Sequence, residues 1–97
     1  MEKISSAEFH NLIQKKVAIQ FSATWCGPCK TLTKTIDSNA EKLSVEFYKV
    51  DLDDNSDLAS EFNIKSVPTI LLFENGLETK RIIGLKSIEQ LQEFTGS

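Results

Sequence analysis

The sequence has 97 residues, of which 40% are hydrophobic, and a formal net charge of −3. This length fits one domain with a modest core, so we expect residues 1–97 to form a single unit. Acidic and basic residues are interspersed, which argues against a nucleic-acid-binding surface, and the apolar run at residues 69–73 is far too short to span a membrane. The first residues carry no signal-peptide pattern. We therefore expect a soluble cytoplasmic protein, and nothing in the composition demands more than a monomer.

The first half of the chain predicts two helices and two strands in alternation. Ser5 and Glu8 have the spacing of a capping box, and apolar residues follow at helical spacing. Two short segments rich in apolar, aromatic and β-branched residues are typical of strands. The predicted bounds are residues 6–15 for the first helix, 17–21 for a buried strand, 26–43 for a long amphipathic helix and 45–50 for a second strand.

The second half predicts a helix, a hairpin and a closing helix. Asn55 or Ser56 begins a short helix, and a buried strand follows at residues 69–74. The Asn75-Gly76 pair is a strong hairpin signal because both turn positions favour positive φ. The chain then returns antiparallel at residues 79–83, and Ser87 caps a last helix that carries Ile88, Leu91 and Phe94. We predict an α/β fold with a central mixed sheet, built from a strand–helix–strand unit plus an antiparallel hairpin and flanked by helices on both faces.

Both cysteines of the chain, Cys26 and Cys29, lie within the segment Trp-Cys-Gly-Pro-Cys-Lys at residues 25–30. So few cysteines at such short spacing argue against a disulfide scaffold. The predicted helix begins at Cys26, where unpaired N–H groups and the helix dipole favour a thiolate. Gly27 lets another chain approach closely, and Pro28 is tolerated in the first turn. We expect Cys26 to be exposed and to attack a disulfide in another molecule, and Cys29, one turn later, to resolve the mixed disulfide.

The segment at residues 25–30, preceded by Phe-Ser-Ala-Thr, resembles the active-site signature of thioredoxins. Val67-Pro68-Thr69 is similar to their cis-proline segment, and Asn75-Gly76 and Gly84 match their turn and groove glycines. The resemblance covers nearly the whole chain, with only the first strand abbreviated. It implies a thioredoxin fold and a cis peptide bond before Pro68, close to the cysteines. It also implies substrate binding by β-strand addition beside that proline, in a shallow groove formed by Trp25, Gly27, Pro28, Val67, Pro68, Thr69 and Gly84.

The same resemblance implies a cytosolic reductase of protein disulfides that uses Cys26 and Cys29 as a redox-active disulfide. It would need no bound cofactor or metal, because the thiol pair itself carries the electrons. Its expected partners are disulfide-containing target proteins and a thioredoxin reductase, an NADPH-dependent flavoprotein.

Two positions depart from the thioredoxin pattern. Gln20 stands where thioredoxins usually carry a buried aspartate that is thought to help deprotonate the resolving cysteine, near a lysine that matches Lys49. A glutamine cannot take the proton, so we expect a slower second step, or a route through water or Asp51. Lys34 stands where many thioredoxins have a helix-kinking proline, which predicts a straighter helix with unchanged chemistry.

Other interpretations remain open for these residues. The cysteines could bind zinc, although only His10 and carboxylates could add ligands, and His10 fits a surface position. Lys49 is either a partner of Asp51 or a side chain that extends to solvent, and Lys30 is expected to be solvated. For the whole protein, the alternatives are a disulfide oxidase or isomerase, and a binding module with this fold whose thiols are incidental.

Overall fold

The structure is a computed structural model, and it describes residues 1–96. Within them the chain forms five strands, four α-helices and one 3₁₀ turn at Ala40–Lys42. The elements in chain order are β1 Glu2–Lys3, α1 Ser6–Leu12, β2 Val17–Ser22, α2 Gly27–Ser38, β3 Glu46–Asp51, α3 Ser56–Glu61, β4 Thr69–Glu74, β5 Leu77–Ile83 and α4 Ile88–Thr95.

The strands form one mixed sheet in the order β1-β3-β2-β4-β5. Strand β3 pairs in parallel with both β1 and β2, whereas β4 pairs antiparallel with β2 and with β5. The predicted mixed sheet is therefore confirmed. Strand β1 has two residues, in agreement with the abbreviated first strand that the resemblance predicts.

Each face of the sheet has its own hydrophobic core. Because side chains alternate along a strand, Ile19 and Phe21 of β2 face one side and Ala18 faces the other. Phe9 of α1 and Leu58 of α3 cover the first side. The second side is covered by residues of α2 and α4: Leu32, Ile36, Leu91 and Phe94. The prediction of helices on both faces of the sheet is confirmed. Because α2 packs on the sheet, its first residue lies near the carboxyl end of β2.

Helix α1 ends at Leu12, three residues before the predicted end. Beyond it, the carbonyls of Ile13 and Gln14 accept hydrogen bonds from the N–H groups of Gly76 (2.9 Å) and Asn75 (3.2 Å). These bonds tie the segment to the β4–β5 turn. A tertiary contact therefore ends a helix whose sequence could continue.

Helix α2 ends at Ser38, where the sequence predicts a helix as far as residue 43. Asn39 has φ −129° and ψ 21°, outside the helical region, and its side-chain amide donates to the carbonyl of Thr35 at 2.8 Å. Asparagine competes for helical carbonyls in this way, so the helix stops and a 3₁₀ turn leads into β3. Lys34, which stands where many thioredoxins have a proline, lies inside α2, and the helix is continuous on both sides of it.

Two local signals in the second half are confirmed. Asn75 and Gly76 both have positive φ, 55° and 81°, and they connect β4 to β5, which begins at Leu77 rather than at residue 79. Ser87 caps α4 through a reciprocal pair of hydrogen bonds with Gln90, at 2.9 and 3.2 Å. Asn55 precedes α3 as predicted, but its side chain bonds Ser6 and the carbonyl of Asp51 instead of the helix.

Candidate active site

Cys26 is the N-cap residue of α2 and forms a disulfide with Cys29. The two Cα atoms are 5.3 Å apart. The backbone N–H of Cys29 donates to Sγ of Cys26 at 3.1 Å. One of the unpaired N–H groups at the helix start is therefore aimed at the first sulfur, where it would stabilise a thiolate after reduction.

The prediction that Cys26 is exposed is wrong for this structure. Cys26 is 4% exposed and Cys29 1% exposed, and both pack with Ala23 and Val67 in a small apolar cluster. The residues around Cys26 in sequence, Trp25 and Gly27, are exposed. The first sulfur is thus recessed below a surface formed by its neighbours, because the N-cap position turns its side chain back toward the helix.

The peptide bond between Val67 and Pro68 is cis, as the resemblance implies. Val67 packs against the cysteine cluster, and the carbonyl of Pro68 accepts a hydrogen bond from the N–H of Gly84 at 2.9 Å. Gly84 has a positive φ of 93°, so the backbone conformation at this contact favours glycine. The cis-proline segment and the segment after β5 are thereby joined beside the disulfide.

Thr69 is buried, whereas Trp25, Gly27 and Pro28 of the predicted groove are exposed. Its side chain is 1% exposed, and its hydroxyl donates to the carbonyl of Ser66 at 2.7 Å. This bond holds the loop that carries Pro68. Its substrate-binding role stays a prediction.

Exposed apolar side chains accompany the predicted groove. Trp25 is 74% exposed, and Ile83 and Leu85, which flank Gly84, are 56% and 52% exposed. Ile83 lies opposite Thr69 in the β4–β5 register, next to the cis-proline segment. Ile83 and Leu85 were not predicted from the sequence, although two apolar residues beside a groove glycine are a usable signal.

Gln20 lies in the centre of the sheet and is fully buried. Its side-chain N–H donates to the backbone carbonyl of Cys29 at 3.2 Å, and its Oε1 accepts from the hydroxyl of Thr33 at 3.4 Å. Both the nitrogen and the oxygen of this buried amide are hydrogen-bonded. The Gln20 amide therefore contacts the backbone of Cys29 and offers no acidic or basic group there.

Lys49 lies opposite Gln20 in the β2–β3 register and is partly buried. Asp51 is 6% exposed, and its Oδ1 accepts a hydrogen bond from the N–H of Asp53 at 2.8 Å. Within residues 1–96 no ion pair joins Lys49 to Asp51, although both line one cavity. The prediction that Lys49 is a partner of Asp51 is therefore wrong, and the alternative of a side chain that extends to solvent stays a prediction.

The remaining polar residues named from the sequence are exposed. His10 is on the surface, as predicted, with its Nε2 3.1 Å from a carboxylate oxygen of Glu61. Lys30 and Lys34 project from α2 with exposed side chains. Gly27 and Pro28 form the first turn of α2 and are exposed beside Cys26.

Asp53 supports the active-site loop, a role that the sequence analysis missed. Its Oδ2 accepts hydrogen bonds from both the hydroxyl (2.9 Å) and the N–H (3.3 Å) of Thr24. Thr24 precedes Trp25, so the loop after β3 fixes the segment that leads into the cysteines. The acidic run at residues 51–54 was the only sequence signal for this contact.

Comparisons with known proteins agree with this geometry. The Thioredoxin family model matches residues 1–97. The chain is 45% identical to the thioredoxin of Mycoplasma genitalium over 85 residues, covering 87% of this chain and 78% of that protein. It is 43% identical to the thioredoxin of Chlamydia caviae over 94 residues, covering 94% of this chain and 92% of that protein.

Solved structures are similar as well. A mutant thioredoxin from Halobacterium salinarum superimposes with a TM-score of 0.89 at 29% identity, covering 97% of this chain and 86% of that one. A thioredoxin from Nicotiana alata gives 0.85 at 33% identity, covering 98% and 90%.

Together, the matches and the cysteine pair define a thiol–disulfide oxidoreductase that acts as a disulfide reductase. The chain belongs to the thioredoxin family. Thioredoxins act on disulfide targets and are themselves reduced by thioredoxin reductase. No helix within residues 1–96 has the length and hydrophobicity needed to cross a membrane.

Proposed function

We propose that this protein reduces disulfides in other proteins by a two-step exchange in which Cys26 attacks and Cys29 resolves. The observation that carries the assignment is the hydrogen bond from the Cys29 N–H to Sγ of Cys26 at 3.1 Å. After reduction, such a bond favours the charged form of the sulfur that accepts it and so stabilises a thiolate. The thiolate is the nucleophile in exchange reactions.

In the first step, the Cys26 thiolate attacks one sulfur of the target disulfide, and the second target sulfur leaves as a thiolate. In the second step, the Cys29 thiolate attacks Sγ of Cys26. The Cys26–Cys29 disulfide forms, and the first target sulfur leaves as a thiolate. Two electrons pass from the protein to the target, and the two released thiolates take up protons according to their pKa.

The docking surface lies beside this pair. Trp25, Gly27 and Pro28 form one side, and Val67 and Gly84 form the other, joined through the bond from the Gly84 N–H to the carbonyl of Pro68. The apolar side chains of Trp25, Ile83 and Leu85 extend this surface. An extended target segment would bind here by adding its backbone beside Pro68.

The deprotonation of Cys29 cannot use the side chain at position 20, because Gln20 is an amide whose two polar atoms are engaged. We propose that this proton leaves through water in the adjoining cavity, which Asp51 and Lys49 line. The second step is therefore slower than it would be with a carboxylate at position 20.

We propose that the protein works as a single-domain monomer in the reducing cytoplasm, recharged by an NADPH-dependent flavoprotein reductase. The Gly-Pro pair between the cysteines resembles the reducing branch of the family and favours a reductase over an oxidase or isomerase.

Insulin reduction tests the proposal. With dithiothreitol as electron source, the wild-type protein should accelerate insulin precipitation well above the dithiothreitol background, and Cys26→Ser should not. A wild-type rate equal to the background would instead support a binding module with incidental thiols. Equilibration with glutathione then separates reductase from oxidase, since a strongly oxidising pair would overturn the reductase assignment.

A further inference from the structure

A cavity of about 430 Å³ opens near the start of α2, between this helix and the strands β3 and β1. Four of its lining residues are lysines and one is an aspartate. The full lining comprises Lys3, Ser22, Ala23, Thr24, Lys30, Thr33, Lys34, Lys49 and Asp51. Within residues 1–96, no carboxylate forms an ion pair with any of these four lysines. The cavity therefore has an uncompensated positive charge.

The lysines are placed in like-charge pairs. Lys3 and Lys49 are direct partners in the β1–β3 register, and Lys30 and Lys34 are four residues apart on α2. Like charges on neighbouring strands, or at this spacing on a helix, repel each other and destabilise the fold. An anion bound among them would remove that repulsion.

Two carboxylates lie near this charge: Asp51 in the lining, and Asp53, which accepts two hydrogen bonds from the lining residue Thr24. Gln20, the other register partner of Lys49, is an amide, and Thr33, which bonds it, is uncharged. Asp51 is the single lining carboxylate, and one of its oxygens already accepts the N–H of Asp53. With Asp53 counted, two negative charges stand against four positive charges.

The position of the cavity indicates which kind of molecule would carry an anionic group into it. Ala23 lines the cavity and also packs in the apolar cluster that holds Cys26 and Cys29. Lys30 directly follows Cys29, and Thr24 lies two residues before Cys26. An anionic group in the cavity is therefore within a few residues' reach of a sulfur bonded to Cys26.

We propose that this cavity is a subsite for an acidic side chain, Asp or Glu, which a protein substrate carries near its disulfide. The inference rests on the proposed reduction of protein disulfides. A lysine cluster beside the reacting sulfur attracts such substrates during the encounter and fixes their orientation. The chain as a whole is acidic, at −3, so attraction for an acidic side chain requires a local cluster of positive charge such as this one.

The test compares two peptides of identical sequence, each with one intramolecular disulfide and either Glu or Gln two to four residues from a cysteine. The reduced wild-type protein should reduce the Glu peptides about three to ten times faster than the Gln peptides at low ionic strength. About 0.5 M NaCl should bring the ratio close to one, because salt screens exposed charges.

The matched variants separate the cavity from the general field of the protein. In the double variant Lys3→Gln/Lys34→Gln, the Glu-to-Gln rate ratio should fall toward one. The control Lys15→Gln/Lys42→Gln changes the net charge equally, at exposed residues outside the cavity, and should keep the wild-type ratio. Because each ratio compares two substrates on the same protein, a smaller folded fraction cancels.

Equal rates for the Glu and Gln peptides on the wild-type protein would overturn the subsite. So would a control variant that loses the ratio as fully as the cavity variant does. If neither peptide were reduced above background, the proposed function itself would fail, and the subsite with it.

Discussion

The side-chain amide of Gln20 donates a hydrogen bond to the backbone carbonyl of Cys29, with an N–O distance of 3.2 Å. The residue is fully buried, and its Oε1 accepts a hydrogen bond from the hydroxyl of Thr33. A neutral side chain is thus hydrogen-bonded to the backbone of Cys29. It stabilises the start of α2 without taking part in proton transfer.

Replacing Gln20 with Asp should accelerate the resolution of the mixed disulfide on the order of tenfold or more, because a carboxylate at this place can accept the Cys29 proton. The initial attack by Cys26 should change little. The variant should lose about 2 kcal/mol of stability, since it buries a charge and loses the bond to Cys29. Rapid-mixing measurement of target release from a preformed mixed disulfide isolates the second step.

Gln20→Asn is the matched control, since it shortens the side chain without adding a charge. Its resolution rate should stay at or below the wild-type rate. Equal acceleration in both variants would show that loosening the helix, and not proton transfer, controls the second step.

The two cysteines should behave asymmetrically when one is replaced. Cys29→Ser should accumulate covalent adducts with disulfide substrates, because Cys26 still attacks and nothing resolves the product. Cys26→Ser should accumulate few, because Cys29 is not the N-cap residue and only Sγ of Cys26 accepts the N–H bond at the helix start. Non-reducing gels and mass spectrometry of proteins mixed with an oxidised substrate give the adduct yields. Comparable yields from both variants would remove the assigned roles.

The contact between Asp53 and Thr24 should stabilise the active-site loop. Asp53→Ala removes the acceptor of two Thr24 donors and should cost about 1 kcal/mol of unfolding free energy. It should also lower the rate of insulin reduction a few-fold, because the segment before Trp25 is less well ordered. Asp54→Ala removes the same charge from the next, exposed residue and is the control for both urea unfolding and activity.

The apolar surface around Gly84 should matter for protein substrates and not for small ones. Leu85→Ala should raise the KM for insulin several-fold while the reduction of a small disulfide such as 5,5′-dithiobis(2-nitrobenzoate) stays unchanged, since only a polypeptide reaches this side chain. Leu77→Ala is the control, because Leu77 is 70% exposed at the opposite end of β5. An equal effect of both leucine variants would contradict a docking role for Leu85.

Tyr48 should make stability depend on pH in the alkaline range. Its hydroxyl donates to the carboxylate of Glu46, and this bond, together with burial and the nearby negative charge, raises the pKa of Tyr48 to about 12 from an ordinary value of 10.0. A pKa raised by folding stabilises the native state below the unfolded pKa, and that contribution is lost as pH rises through the folded pKa.

The stability advantage of wild type over Tyr48→Phe should therefore be full below pH 10 and disappear between about pH 10 and 12. Urea unfolding at fixed pH values measures the difference directly. A constant difference across this range would mean that the Tyr48–Glu46 bond does not control the titration.

Local sequence signals predicted the elements of the fold well where the structure depends on residues close together in sequence. The Asn75-Gly76 turn depends on backbone φ, and the Ser87–Gln90 capping box depends on bonds within a few residues. Periodicity located the helices and strands, because each element buries one face. The helix ends at Leu12 and Ser38 were not predicted, since the hairpin and the Asn39 side chain decide them.

The sequence by itself determined the chemistry of this protein. Two cysteines separated by Gly-Pro at the start of a helix specify thiol–disulfide exchange, because spacing and a helix start are local properties. Only the tertiary structure decided how deeply Cys26 is recessed, that Gln20 bonds Cys29, and that Lys3, Lys34 and Lys49 line one cavity. These features join residues distant in sequence, and burial and charge density depend on which elements pack together.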